Sequence, residues 1–197
     1  MYTAPETVAR ERELNSLYMV TAIVVLVIVT ATFGALIFAF FWRSQNSYLW
    51  QHLRIPSLLW VTTPILLASS ALLERARRSL KAGDRTGFRR FLQWTTGLGF
   101  LFLIGQGAAW FQVVHSNVIL QFDKHAWFVF LFSGMHALHI LAGVGGLGYL
   151  LYRSSEPASG PRYQMTTRAL TNALAIFWHY LGFMWVVLFG LLLTWRR

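Results

Sequence analysis

The residues in this sequence best placed to do chemistry inside apolar surroundings are histidines. His136 and His139 stand three apart in Gly134-Met135-His136-Ala137-Leu138-His139-Ile140-Leu141-Ala142-Gly143, an uncharged run, so they share one helix face. His179 follows in Trp178-His179-Tyr180, with Trp185 two turns further on. Neutral imidazoles so placed can ligate haem or a metal. They can equally bond backbone carbonyls, Ser or Thr hydroxyls, or a lipid headgroup across a packed helix pair. One or the other is required, because a polar ring in an apolar span is costly unless satisfied.

Other chemistries are restricted by composition. There is no cysteine, which excludes disulfides, thiolate zinc sites, iron–sulfur clusters and thiol catalysis. The seven carboxylates are Glu6, Glu11, Glu13, Glu74, Asp84, Asp123 and Glu156, and each falls in a tail, a loop or a helix end. Ion and proton transporters usually place ionisable groups at membrane depth. A self-contained pump, transporter or carboxylate catalyst is therefore disfavoured.

The elements that must position these residues are membrane spans. The chain has 197 residues, 56% hydrophobic and only 12% charged, about half the charged share of a globular domain. Five apolar runs, over about 17–42, 56–75, 91–114, 126–152 and 171–195, are long enough to cross a bilayer as helices. They are too long and too continuously apolar for barrel strands. The reading is a single all-α integral membrane domain, a bundle of five transmembrane helices over 1–197. Polar links are expected over 43–55, 115–125 and 153–168, and a basic link with a Gly83-Asp84 turn over 74–90.

Charge placement orients the bundle. One side carries Arg10, Arg12, Arg75, Arg77, Arg78, Lys81, Arg85, Arg89, Arg90, Arg153, Arg162 and Arg168. The other carries Arg43, Arg54, Lys124, Arg196 and Arg197, which completes the 17 basic residues. The positive-inside rule predicts a cytoplasmic N-terminus and an outside C-terminus. Topology and anionic headgroups thus account for the net charge of +10 without nucleic acid. Tyr18, Trp42, Trp94, Trp110, Trp127, Tyr149, Tyr152 and Trp195 fall near predicted span ends, as an aromatic belt does.

Depth bears on the histidines. At about 1.5 Å rise per residue, His139 lies roughly 20 Å from the cytoplasmic end of its span, His136 roughly 24 Å and His179 about 12 Å. Two axial haem ligands must lie at nearly equal depth, since each metal–nitrogen bond is near 2 Å. The estimate leans towards a structural role and leaves haem open. Glycines at 97, 99, 105 and 107 in the third span, and at 143, 145, 146 and 148 in the fourth, allow close helix approach. Thr62-Thr63 and Ser69-Ser70 can hydrogen-bond within or between helices.

The order of these motifs resembles subunit III of the haem–copper terminal oxidases, in its short five-helix bacterial form. The resembling set runs from about Trp50 to Trp195. It comprises Thr62-Thr63 with Leu67-Ala68-Ser69-Ser70, the Gly83-Asp84 link, then Leu98-Gly99, Phe102, Gln106 and Trp110. Gly134, His136, Leu138, His139 and Gly143 follow, then Trp178-His179-Tyr180 and Trp185. Two positions depart from the family. Ala109 stands where a Glu linked to carbodiimide sensitivity and proton uptake is common, and Gly182 where an Asp is common.

The resemblance implies an accessory, redox-silent subunit of a cytochrome c oxidase-type complex in the bacterial cytoplasmic membrane, without an active site of its own. It implies direct packing on subunit I, association with subunit II and small subunits, haems and copper in those partners, and bound phospholipid. It points to His136, His139, His179, Gln106, Ser69 and Ser70 as structural or lipid-binding residues, with Trp178 and Trp185 as packing anchors and no metal ligands. Two rivals remain: a b-type haem protein using the buried histidines, and an accessory subunit of a nitric-oxide-reductase-type complex.

Overall fold

The computed structural model describes residues 4–45, 56–115, 124–155 and 160–194. They form five helices: α1 (Ala4–Gln45), α2 (Leu58–Lys81), α3 (Arg85–His115), α4 (Lys124–Ser155) and α5 (Pro161–Thr194). Each is long and apolar enough to cross a membrane. Helices are what such runs must form, because lipid offers no partner for a backbone N–H or C=O.

Every helix is longer than its expected span. The first starts at Ala4 rather than near residue 17, and much of the link expected over 153–168 is helical on either side of 156–159. Hydropathy marks where a helix lies in lipid, whereas Glu and Arg extend it comfortably into water. Pro161 opens α5 at the first helical position, where its missing N–H costs nothing. Most of the 43–55 link, the 116–123 stretch and Trp195 to Arg197 lie outside the described residues.

Between α2 and α3 the chain reverses on the expected turn. Gly83 adopts φ of 79°, the left-handed conformation glycine accepts without strain. Asp84 then caps α3, its Oδ1 accepting the Gly87 N–H at 2.9 Å.

Contacts fix the directions of the helices. Ser69 meets Trp178 and Thr63 meets Trp185, so α2 and α5 are antiparallel. Trp110 meets Ser133, and Gly99 faces Val144, so α3 and α4 are antiparallel as well. Thr30 of α1 bonds Tyr180 of α5 while Arg12 lies beside Arg168, so those two helices run parallel. The basic residues of the N-terminal segment and of the α2–α3 and α4–α5 connections therefore gather at one end.

The core runs the length of the bundle, from Phe40 and Phe132 through Phe102, Trp185 and Trp178 to Leu73 and Leu150. Helix α1 buries only a stripe, with Val29, Phe33 and Phe40 inward and Ile23, Val27, Ile28 and Phe38 exposed. Trp42, Trp127, Tyr149 and Tyr152 are exposed within two turns of a helix end, and Trp94 is exposed nine residues into α3. Trp110 differs from that expectation: it turns inward and is half-buried against α4.

Candidate functional site

Trp178 is the residue on which four helices converge. Only 1% exposed, it donates its indole Nε1–H to Ser69 Oγ of α2 at 3.0 Å. Its ring lies in a slot between α3 and α4 that glycines open. A Cβ at Gly99 would stand 2.9 Å from Trp178 Cη2, and one at Gly143 would stand 2.9 Å from Trp178 Cζ3. The indole stays in lipid-depth core because its one donor is satisfied. Ser69 spends its own proton on the Leu66 carbonyl at 2.6 Å, which leaves its oxygen free to accept.

The same device recurs twice among the described residues. Trp185 Nε1 donates to Thr63 Oγ1 at 3.0 Å, and Thr63 donates to the Leu59 carbonyl at 2.7 Å. Trp110 Nε1 donates to Ser133 Oγ at 2.9 Å, and Ser133 donates to the Val129 carbonyl. Each joins an indole on one helix to a hydroxyl on the next, worth about 1 kcal/mol net.

The histidines do not converge. His136 is fully buried, its ring stacked on Trp185 at 5.0 Å between centroids and met edge-on by Phe102 at 5.8 Å. Neither ring nitrogen has a partner among the described residues. His139 places Nδ1 2.6 Å from the Met135 carbonyl of its own helix and leans on Phe33 of α1. His179 is half-buried, in electrostatic reach of Glu74 and Arg77 towards the basic end. Since His136 is level with Trp185, six residues beyond His179, the two stand about 9 Å apart along the axis.

For His139 the observed bond is within its own helix rather than between helices. No group of three or more His, Asp or Glu side chains among the described residues is placed to hold a metal ion.

Gln106, one turn beyond Phe102 on α3, is 1% exposed, and neither atom of its amide has a partner among the described residues. Ser70 likewise has a buried hydroxyl without one, facing Gly182, where a Cβ would lie 3.3 Å from its oxygen.

Sequence reading did not single out Ser133, Phe33 or the Thr30–Tyr180 bond. A lone hydroxyl in the apolar run before Gly134, at a register opposite Trp110, is the signal that marks Ser133. Thr63 was legible as a polar residue in a span but not as the acceptor for Trp185. At the basic end, Arg77 donates Nε–H to Asn172 Oδ1 at 2.8 Å, joining α2 to α5. Arg153 donates to Thr167 and covers the Tyr163 ring at 5.0 Å, joining α4 to α5.

No family model matches the chain. Curated proteins do. It is 32% identical over 138 residues to cytochrome c oxidase subunit 3 of Corynebacterium diphtheriae, a match covering 70% of this chain and 65% of that protein. Cytochrome c oxidase subunit 3 of Synechocystis is 26% identical over 129 residues, covering 66% of this chain and 53% of that one. The subunit 3 of Thermostichus vulcanus is 26% identical over 132 residues, covering 67% and 63%. The matched region spans less than two thirds of the length of each of these relatives.

Proposed function

From membership of the cytochrome c oxidase subunit 3 family, which the curated relatives support, we propose that this chain is an accessory, redox-silent subunit of a haem–copper terminal oxidase. It packs beside catalytic subunit I, in company with subunit II, and stabilises that subunit during oxygen reduction coupled to electron transport and proton translocation. Haems and copper belong to the partners. The chain itself supplies no catalytic group and holds phospholipid. It lies in a bacterial cytoplasmic membrane with the basic end cytoplasmic, as the asymmetry of its Lys and Arg residues predicts.

One observation carries this reading beyond the relatives' names. Pieces of the resembling motif set from four spans, Ser69, Gly99, Gly143 and Trp178, meet at a single socket. Residues that recur together in the family order are here one packing unit, which suits a rigid support. The alternative, haem held by buried histidines, gains nothing from rings about 9 Å apart in depth.

The test is affinity purification of the tagged chain in mild detergent, with mass spectrometry of its partners. Reduced-minus-oxidised spectra are recorded before and after the chain is stripped from any complex. A large polytopic partner carrying all the haem, and a colourless stripped chain, is the expected result. Haem retained stoichiometrically by the stripped chain would overturn the assignment.

A further inference from the structure

Helix α3 begins well outside the lipid. Trp127 and Tyr149, both exposed on α4, lie about 33 Å apart along the axis, close to the roughly 30 Å of a hydrocarbon core. Gly99 faces Val144 and Trp110 meets Ser133, so the exposed Trp94 of α3 is level with Tyr149. These two rings mark the lipid boundary at the basic end. From Trp94, α3 runs outward to its first residue, Arg85. Arg90, Arg89 and Arg85 therefore stand about 6, 8 and 14 Å beyond the boundary, where headgroups fill only about 5–7 Å.

All three arginines are exposed, and none makes an ion pair among the described residues. The acids nearest in sequence are engaged elsewhere. Glu74 is shared between Arg77 at 3.4 Å and Arg78 at 3.3 Å, and Asp84 caps the Gly87 N–H. The arginines are also costly where they stand. There is no acidic residue in the first turn of α3, so Arg85 meets the positive end of the helix dipole uncompensated within that turn. Arg85 and Arg89, four residues apart, repel each other on one face. Membrane topology calls for cations at this end but not for that placement. Direction matters as well, because helical side chains lean towards the N-terminus of their helix. Helix α3 thus tilts its arginines away from the lipid, whereas α2, running the other way, tilts Arg75 and Arg78 towards it.

We propose that Arg85, Arg89 and Arg90 form a docking surface for an acidic segment of another polypeptide, held just above the membrane. Guanidinium forks take carboxylates in bidentate pairs. The step from Arg85 to Arg89, about 6 Å, is matched by Asp or Glu residues one turn apart on a partner helix. The surface is preorganised, since the Gly83 turn and the Asp84 cap fix the start of α3. Nucleic acid fits it poorly. Three cations are few for a duplex, and Phe88 is buried and Phe91 packed on the core, so neither offers a ring for a base to stack on. This surface goes beyond the subunit 3 reading and does not require it.

The test exploits the scarcity of lysine, which occurs only at Lys81 and Lys124. The full chain, tagged and purified in mild detergent with the proteins it retains, carries Arg89→Lys or Arg90→Lys. Each change keeps the charge and supplies an amine. A water-soluble carbodiimide activates an adjoining carboxyl as an O-acylurea. The lysine amine displaces the urea, which carries off the elements of water and leaves a spacer-free amide. Peptide mass spectrometry then reads the residue joined. The expected result is an amide to Asp or Glu of a second polypeptide from both positions, and none from Arg43→Lys at the opposite end.

With Arg89→Lys as reporter, adding Arg85→Gln and Arg90→Gln lowers the yield about tenfold, at about threefold for each exposed ion pair. Should that variant not elute like wild type, Arg90→Gln alone is added, with about a threefold loss expected. An equal yield in phosphatidylcholine and phosphatidylglycerol micelles supports a polypeptide partner. A yield that falls to the Arg43→Lys level in phosphatidylglycerol assigns the arginines to headgroups, and one that falls so after nuclease treatment assigns them to nucleic acid. Either overturns the proposal. So does a yield that the Arg→Gln changes leave untouched, a cross-link only to this chain's own acidic residues, or none at 89 and 90 above the Arg43→Lys level.

Discussion

Gly143→Ala is the substitution that tests the Trp178 socket most directly. The new methyl would stand 2.9 Å from Cζ3 and 3.0 Å from Cε3 of Trp178, and 3.4 Å from Cε1 of Phe177. Carbon atoms rest about 3.5–4.0 Å apart, so the indole would have to retreat by roughly half an ångström. It cannot do so freely. Ser69 holds its nitrogen at 3.0 Å, and on the α3 side the ring is already too close to Gly99 to admit a methyl there.

Overpacking of this kind costs about 1–3 kcal/mol, against a gain of about 0.5–1 kcal/mol for replacing a mid-helix glycine by alanine. Gly145 separates the two terms, because a Cβ there meets nothing within 4 Å on the same helix. Gly145→Ala should stabilise by about 0.5–1 kcal/mol, and Gly143→Ala should fall about 1–3 kcal/mol below it. The assay is reversible unfolding in mixed micelles titrated with dodecyl sulfate, followed by far-ultraviolet circular dichroism. Repeating it in a Trp178→Leu background should abolish the gap, since the clashing ring is gone. A gap absent in the wild-type background, or unchanged in the Trp178→Leu background, would refute the socket.

The other interactions predict different sizes of effect in the same assay. Thr63→Val keeps the side-chain shape but leaves the Trp185 indole N–H without its acceptor, and should cost about 1–3 kcal/mol. Ser133→Ala should cost about 1–2 kcal/mol, because Trp110 is only half-buried and water can reach part of the loss. Asp84→Ala removes the cap of α3, for about 1 kcal/mol, and Gly83→Ala forces a side chain into the left-handed region for about 1–2 kcal/mol. His136→Leu should stabilise by about 1 kcal/mol. It removes two buried nitrogens that have no partner among the described residues, a relief larger than the stacking lost on Trp185. A loss of stability from His136→Leu would mean that a group outside the described residues satisfies the imidazole.

The five spans were legible because a bilayer imposes one rule, length and apolarity, on every crossing segment. The helix ends were not, since Glu6, Arg10 and Gln164 continue a helix in water as readily as apolar residues do in lipid. Trp178, Trp185, Ser69 and Thr63 were each visible as unusual residues in apolar runs. Their pairing was not visible, because it depends on the vertical register of α5 against α2, which no local pattern encodes. The histidines drew attention as the most chemically capable side chains, yet three of the interhelical hydrogen bonds run through indoles and none of those described runs through an imidazole. An indole offers one donor on a large apolar body, so a single hydroxyl satisfies it. An imidazole brings a donor and an acceptor, twice the demand at the same depth.

That difference in demand bears on the two positions where this chain departs from the family it resembles. Ala109 is 2% exposed, and Gly182 faces the Ser70 hydroxyl inside the bundle. A carboxylate at either place would point into packed core, where the charged form is expensive and the acid would be held neutral or need a donor. With alanine and glycine there, the interhelical hydrogen bonds in the apolar middle of the described bundle join indoles and hydroxyls rather than carboxylates. Charge enters the helix contacts at the basic end instead, where Arg77 reaches Asn172 and Arg153 reaches Thr167 within reach of water. Restoring Asp at 182 should couple the stability of this chain to pH, through the carboxyl set against Ser70, where the native chain shows no such dependence from that site.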